Sequence, residues 1–318
     1  MEPPDPSTVR LDGPWTHHDV SANGIRLHVA EAGSGPMVLL LHGFAEFWWA
    51  WRHQLVSLAD AGFRVVAADL RGYGDSDKPP RGYDAWTLAG DVTGLIRALG
   101  ERRAHLVGHA WGGMLAWTAA ALHPRFVTSV SVLGGAHPLA FRASVAGTVL
   151  RPKGRNQTRS FAHLFRFQVP MLPERRLVAD DAALVGRLVR AWSGPQWTYT
   201  EDFTDTVGKF RQAILVPGVA HSALEYYRWA FRAQFRGEGR RFTEDVGMRV
   251  AVPVLQLHGE ADSCVLPETA RASAPWQGPH SRFEALPGIG HFPHLEDPER
   301  TDKAILDFLE TQRREAAP

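Results

Sequence analysis

The chain reads as an α/β protein: a mostly parallel central sheet flanked by helices, with a helical cap inserted into it. Three observations predict this. Short apolar runs at 38–41, 64–70 and 127–133, and another opening at Ala104, have the length and continuity of buried parallel strands. Helical spacing at 88–99 and 114–122 falls between them, and alternation of this kind builds a sheet covered on both faces. The texture then changes over 138–247, which hold helical fragments, basic loops at 151–159 and 236–241, and many aromatics, but no convincing buried strand.

Each element has a local reason. Residues 15–33 form two strands about Asn23-Gly24, a pair that accepts the positive φ of a tight hairpin turn. The run 38–41 ends in His42-Gly43, and 64–70 leads into the loop Arg71-Gly72-Tyr73-Gly74-Asp75-Ser76. The helix at 88–99 stops at Gly100, and the one at 114–122 stops at His123-Pro124. After the inserted segment the strand pattern resumes at 252–257 and 283–286, and an amphipathic helix runs from 298 to about 314. The expected division is therefore a core of residues 1–137 and 248–318 and a cap of residues 138–247.

Bulk properties narrow the function classes. Of 318 residues, 44% are hydrophobic and 22% charged, which suits a globular protein with a substantial core. A net charge of +1 gives no electrostatic argument for nucleic acid or an anionic membrane. The single cysteine, Cys264, excludes an internal disulfide and fits a reducing compartment. Residues 1–14 are polar and Pro-rich, unlike a signal peptide, and no apolar run reaches the length of a membrane span. A cytoplasmic protein acting on a small molecule is expected, with no cofactor.

The informative stretch is Ala104-His105-Leu106-Val107-Gly108-His109-Ala110-Trp111-Gly112-Gly113. It has the frame of a nucleophile elbow, a strand turning sharply into a helix through very small residues. The central position, where Ser, Cys or Asp would stand, is Ala110, whose methyl group cannot attack. Two later strand-end loops carry an acid and a base: Asp262 in His258-Gly259-Glu260-Ala261-Asp262, with Glu260 as its competitor, and His291 in Gly288-Ile289-Gly290-His291-Phe292-Pro293-His294. An aspartate that holds one imidazole nitrogen leaves the other free to act as base. His291-x-x-His294 with Glu296 has a superficial metal-ligand look, but zinc needs three or four convergent ligands, so no metal is expected. Cys264 has no basic neighbour in the sequence and reads as an inert small residue.

The order of nucleophile position, acid and histidine is that of α/β-hydrolases. The resemblance sharpens with His42-Gly43-Phe44, Phe47-Trp48-Trp49-Ala50-Trp51-Arg52-His53-Gln54, the Arg71 to Ser76 loop and Gly108-His109-x-Trp111-Gly112-Gly113. On these residues the chain resembles the epoxide hydrolase and haloalkane dehalogenase branch of that superfamily, and the epoxide hydrolases more closely. The resemblance implies an elbow aspartate that opens an epoxide by attack on carbon, giving an ester that a His-activated water hydrolyses. It implies an oxyanion hole from the N–H groups of Phe44 and Trp111. It also implies two cap tyrosines donating to the epoxide oxygen. Tyr227 matches the second, Phe167 stands at the first without a hydroxyl, and Tyr199 is the substitute elsewhere in the cap. Trp48 is expected in the pocket wall, and Trp192, Trp197 and Trp229 in the cap walls imply a bulky apolar or aromatic guest. Ala45 replaces the proline of the family's His-Gly-x-Pro motif, and Phe44 occupies the place where dehalogenases often carry a halide-binding Asn.

Ala110 admits three expectations, in order of preference. The first is an epoxide hydrolase whose natural residue at 110 is Asp, deliberately inactivated at that position to trap substrate. The second is a natural binding protein for a hydrophobic small molecule. The third is a lyase, cyclase or water-activating enzyme that uses the His291–Asp262 dyad alone.

Overall fold

The computed structural model describes residues 4–149 and 156–315, so part of the basic loop read at 151–159, residues 151–155, lies outside the described residues. Eight strands form one sheet: β1 (Thr16–Ala22), β2 (Ile25–Ala32), β3 (Met37–Leu41), β4 (Arg64–Ala68), β5 (Ala104–His109), β6 (Val127–Leu133), β7 (Val254–Gly259) and β8 (Arg282–Leu286). Their spatial order is β1-β2-β4-β3-β5-β6-β7-β8. β1 pairs antiparallel with β2, and β2 antiparallel with β4. The pairings from β4 through β8 are all parallel. The apolar runs read as buried strands are buried apart from Arg64 and Thr128, with every residue of β3 and β5 inaccessible to solvent or nearly so.

Three helices belong to the first half of the core: α1 (Arg52–Asp60), α2 (Ala85–Ala98) and α3 (Trp111–Leu122). α2 begins three residues before the apolar spacing suggests, because the Asp84 carboxylate caps the Thr87 N–H at 2.9 Å. Among the described residues between β6 and β7 the regular elements are all helices, from α4 (Pro138–Val149), α5 (Gln157–Ser160) and α6 (His163–Arg166) through α7 (Leu172–Trp192), α8 (Glu201–Leu215), α9 (Val219–Arg232) and α10 (Gly237–Asp245). α7 is broken at Ala179, with Asp180, Asp181 and Ala182 at positive φ. α11 (Pro267–Arg271), α12 (Pro293–Glu296) and α13 (Pro298–Glu315) complete the chain.

Buried polar links fix this inserted helical region to the sheet. The Tyr226 hydroxyl donates to the Arg71 carbonyl at 2.8 Å, and Tyr83 donates to the Ser222 hydroxyl at 2.8 Å. Arg52 donates to the Thr206 hydroxyl at 2.9 Å and pairs with Asp202. Arg71 itself is clamped bidentately by Asp91, both bonds at 2.6 Å. α9 is thereby held directly above the carboxyl ends of β3 and β5, where open α/β sheets place their ligands.

Candidate active site

Ala110 is the hinge between β5 and α3. Its φ of +46° and ψ of −106° are unusual for a residue with a side chain. Its N–H donates to the Leu133 carbonyl at 3.0 Å, and its carbonyl accepts from Met114 at 3.0 Å, which ties the turn to the neighbouring strand and to the helix. Glycine is required on both sides. A Cβ on Gly108 would fall 2.3 Å from the Gly112 oxygen, and one on Gly112 would fall 2.0 Å from the Leu41 oxygen. The elbow geometry is thus complete, with a methyl group where its side chain would act.

Asp262 and His291 follow β7 and β8, and both are buried. Asp262 Oδ2 lies 2.8 Å from His291 Nδ1, while Oδ1 accepts the N–H groups of Cys264 at 2.8 Å and Val265 at 2.9 Å. The carboxylate is therefore oriented by backbone and holds the ring by one nitrogen. The His291 N–H donates to the Trp192 carbonyl at 2.9 Å, which anchors the loop to the end of α7. Burial pushes the Asp262 carboxyl up, but the His291 ring and the bonds it receives hold it below the usual carboxylate range. Burial pulls the His291 imidazole down, and Asp262 and Cys264 more than reverse this, leaving its pKa well above the ordinary value. Glu260, the competing acid, is exposed.

Ala110, His291, Tyr227, Phe44, Trp111 and Cys264 all face one cavity of about 20 Å³, room for roughly one water. Tyr227 is buried, packs edge-on against Trp111 at 5.0 Å and Phe44 at 5.2 Å, and burial raises its pKa well above 10, so its hydroxyl stays a neutral donor. Phe167 is buried one layer back, 5.5 Å from Phe44 and 5.1 Å from Tyr227, ring centre to ring centre. Beyond Trp111, Met114 and Phe161, which line both spaces, opens a second chamber of about 360 Å³ under α4 and α9. Its walls are almost entirely apolar and include Leu139, Val145 and Trp229.

Three residues expected at the pocket, Trp48, Tyr199 and Trp197, are elsewhere. Trp48 is fully buried in the core, donates to the Val9 carbonyl at 2.8 Å and packs edge-on against Trp15, because the short helical turn Trp48–Trp51 aims it toward the N-terminal segment. Tyr199 is 88% exposed, since the turn Trp197–Tyr199 buries Trp197 instead, whose indole donates to Asp202. Ala45 sits at φ +60°, a conformation that a proline ring cannot adopt, so this loop differs physically from one carrying proline.

Other residues enter that the sequence did not announce. Cys264 has a basic neighbour after all: its thiol meets His291 across the cavity, and burial still keeps its pKa above the ordinary value. His109, immediately before Ala110, pairs through Nδ1 with Glu46 at 2.8 Å, and its Nε2 meets the His291 carbonyl at 2.8 Å. Burial opposes the Glu46 charge, yet His109 and His294 pull its pKa down to about 2. Adjacency of His109 to the elbow was the available signal. The motif His291-x-x-His294 with Glu296 does not converge, because the Glu296 oxygens accept the N–H groups of Gly194, Gly290 and Phe292.

Comparison with known proteins agrees with this architecture. The profile of the alpha/beta hydrolase fold family matches residues 36–298. The AB hydrolase superfamily protein YfhM of Bacillus subtilis is 32% identical over 298 residues, covering 92% of this chain and 97% of its own. Epoxide hydrolase 3 of Xenopus tropicalis is 36% identical over 297 residues, covering 90% of this chain and 75% of its own. The crystal structure of epoxide hydrolase A from Mycobacterium thermoresistibile superposes with a TM-score of 0.76 at 28% identity, covering 93% of this chain and 98% of that one.

Proposed function

The chain belongs to the α/β-hydrolase superfamily, in its epoxide-hydrolase-like branch, and on that premise we propose that it carries an epoxide-opening site lacking only its nucleophile. One observation carries the reading: the strained elbow position is occupied by Ala110 and faces the same cavity as His291 and Tyr227. With a carboxylate at 110, attack on the epoxide carbon would break the C–O bond as the Tyr227 hydroxyl donates to the departing oxygen. His291, held by Asp262, would then take a proton from the water that cleaves the ester. The backbone N–H groups of Phe44 and Trp111 are assigned to the oxyanion of that second step. Phe167 offers no second donor, so ring opening rests on one phenol. As it stands, the chain binds its substrate and does not turn it over.

The experiment compares this chain with Ala110→Asp on a panel of aryl and alkyl epoxides, following diol formation. Turnover by the variant alone is the expected result. Silence from a folded variant would overturn the reading. The 360 Å³ apolar chamber favours a second reading, a natural binding protein for a hydrophobic molecule. Ligand-induced stabilisation of this chain, without any activity gained by Ala110→Asp, would select it.

A further inference from the structure

Three buried side chains meet beside Ala110 in an arrangement that protons alone do not satisfy. Glu46, His109 and His294 come from the loop after β3, the end of β5 and α12, and none is more than 1% exposed. One potential ligand atom from each lies within 4.8 Å of the other two. His109 Nε2 is 2.8 Å from the His291 carbonyl, and a carbonyl only accepts, so Nε2 carries the ring proton. Nδ1 of a neutral ring is then a lone pair, and it faces the Glu46 carboxylate at 2.8 Å from Oε1 and 3.0 Å from Oε2. Oε2 already accepts the Gly43 N–H. His294 Nε2 lies 3.7 Å from Glu46 Oε1, beyond hydrogen-bond reach, and neither nitrogen of that ring has a hydrogen-bond partner.

A second proton on His109 would repair its contact with Glu46 and leave His294 unsatisfied. Buried polar groups without partners are rare, and an ion is one of the standard reasons for one. A cation among the three takes the lone pairs of His109 Nδ1 and His294 Nε2 and the charge of Glu46 Oε1 together. We propose that Glu46, His109 and His294 bind one divalent transition-metal ion, with Zn²⁺ the best match. Two imidazoles and a carboxylate are zinc ligands at about 2.0–2.2 Å, and at tetrahedral angles two such ligands stand about 3.3–3.5 Å apart. The His109–Glu46 separation of 2.8 Å and the His294–Glu46 separation of 3.7 Å lie on either side of that spacing. The His294 ring has no side-chain hydrogen bond to break on coordinating an ion.

The placement bears on the site already described. A Cβ built on Gly43 would lie 2.9 Å from His109 Nδ1, 3.1 Å from Glu46 Oε2 and 3.2 Å from Ala110 Cβ. Gly43 thus packs against two of the three ligands and against the methyl group at the elbow. His109 also lines the cavity, which gives an ion a way in.

The test uses the full chain, stripped with EDTA, dialysed and titrated with Zn²⁺ and separately with Co²⁺. Metal content is read by plasma mass spectrometry and the ligand field by the visible absorption of bound Co²⁺. One ion per chain is expected, with binding weakened about tenfold or more in His294→Gln and Glu46→Gln. If Glu46→Gln does not fold, His294→Gln decides alone, since the ring it removes makes no side-chain hydrogen bond. A stripped chain that takes up no more than trace metal would overturn the proposal. So would a full equivalent retained by His294→Gln, which would put the ion on others of the chain's 15 histidines.

Discussion

The cavity at Ala110 and the chamber behind it share the walls Trp111, Met114 and Phe161, yet they are built on opposite terms. The first has about 20 Å³ and fixed polar geometry: Asp262 is held by two backbone N–H groups, and His291 by Asp262 and the Trp192 carbonyl. The second has about 360 Å³ and a mostly apolar lining, in which Thr118, Arg142 and Gln234 are among the few polar side chains. A reaction is decided by a few atoms within hydrogen-bond distance, whereas a guest is held by summed apolar contact. A change of side chain at 110 therefore acts on the cavity and leaves the chamber as it was.

The largest expected effect falls on the cavity. In the Ala110→Asp background, adding His291→Gln should cut turnover by roughly a thousandfold or more, and intact-mass analysis should catch the accumulated ester on Asp at 110. Undiminished diol formation would separate His291 from the chemistry. Next comes the chamber. Ala230→Trp, which fills it from α9, should lower kcat/KM in the same background about 10- to 100-fold for a bulky aryl epoxide and leave a three-carbon epoxide nearly unchanged. Equal losses for both substrates would erase the distinction between the two regions.

Stability against pH sharpens the contrast further. Glu46 is depressed from 4.5 to about 2, so its contribution is fully present above pH 4.5 and is lost as pH falls toward 2. In the metal-stripped chain Glu46→Gln should flatten that acid limb, with an effect on the order of 2–3 kcal/mol in urea titrations. His291 runs the other way. Its raised pKa gives stability that is present below 6.5 and lost as pH climbs through the folded-state value, and Asp262→Asn should remove that dependence. The smallest effect lies far from both regions. Gly208, inside α8 with nothing near a built Cβ, should gain about 0.5–1 kcal/mol as alanine, measured by thermal denaturation.

The elbow, Asp262 and His291 were legible because each lies in a short strand-end segment whose glycines announce a turn. So were the sheet and the helical insertion, through the length of the apolar runs and their disappearance after β6. Trp48 and Tyr199 were misread because composition identifies an aromatic without saying which way its turn points it. Glu46, His109 and His294 could not be grouped from sequence, since only the parallel pairing of β3 with β5 and the path of α12 bring them together. The chamber has no sequence signature either. Its walls come from α2, α3 and the inserted helices, and each lining residue reads locally as ordinary core.

The conformation of Ala110 has an evolutionary consequence. The turn stays strained at φ +46° although no nucleophile exploits the strain, because Gly108, Gly112 and the Leu133 carbonyl fix it from outside. Mutation at 110 therefore does not let the elbow relax into some other shape. Every alanine codon becomes an aspartate or a glutamate codon by a single base change, so a lineage carrying this chain stands one point mutation from placing a carboxylate on an intact frame. Such a replacement is reversible in descent, kept open by glycines that lie outside position 110.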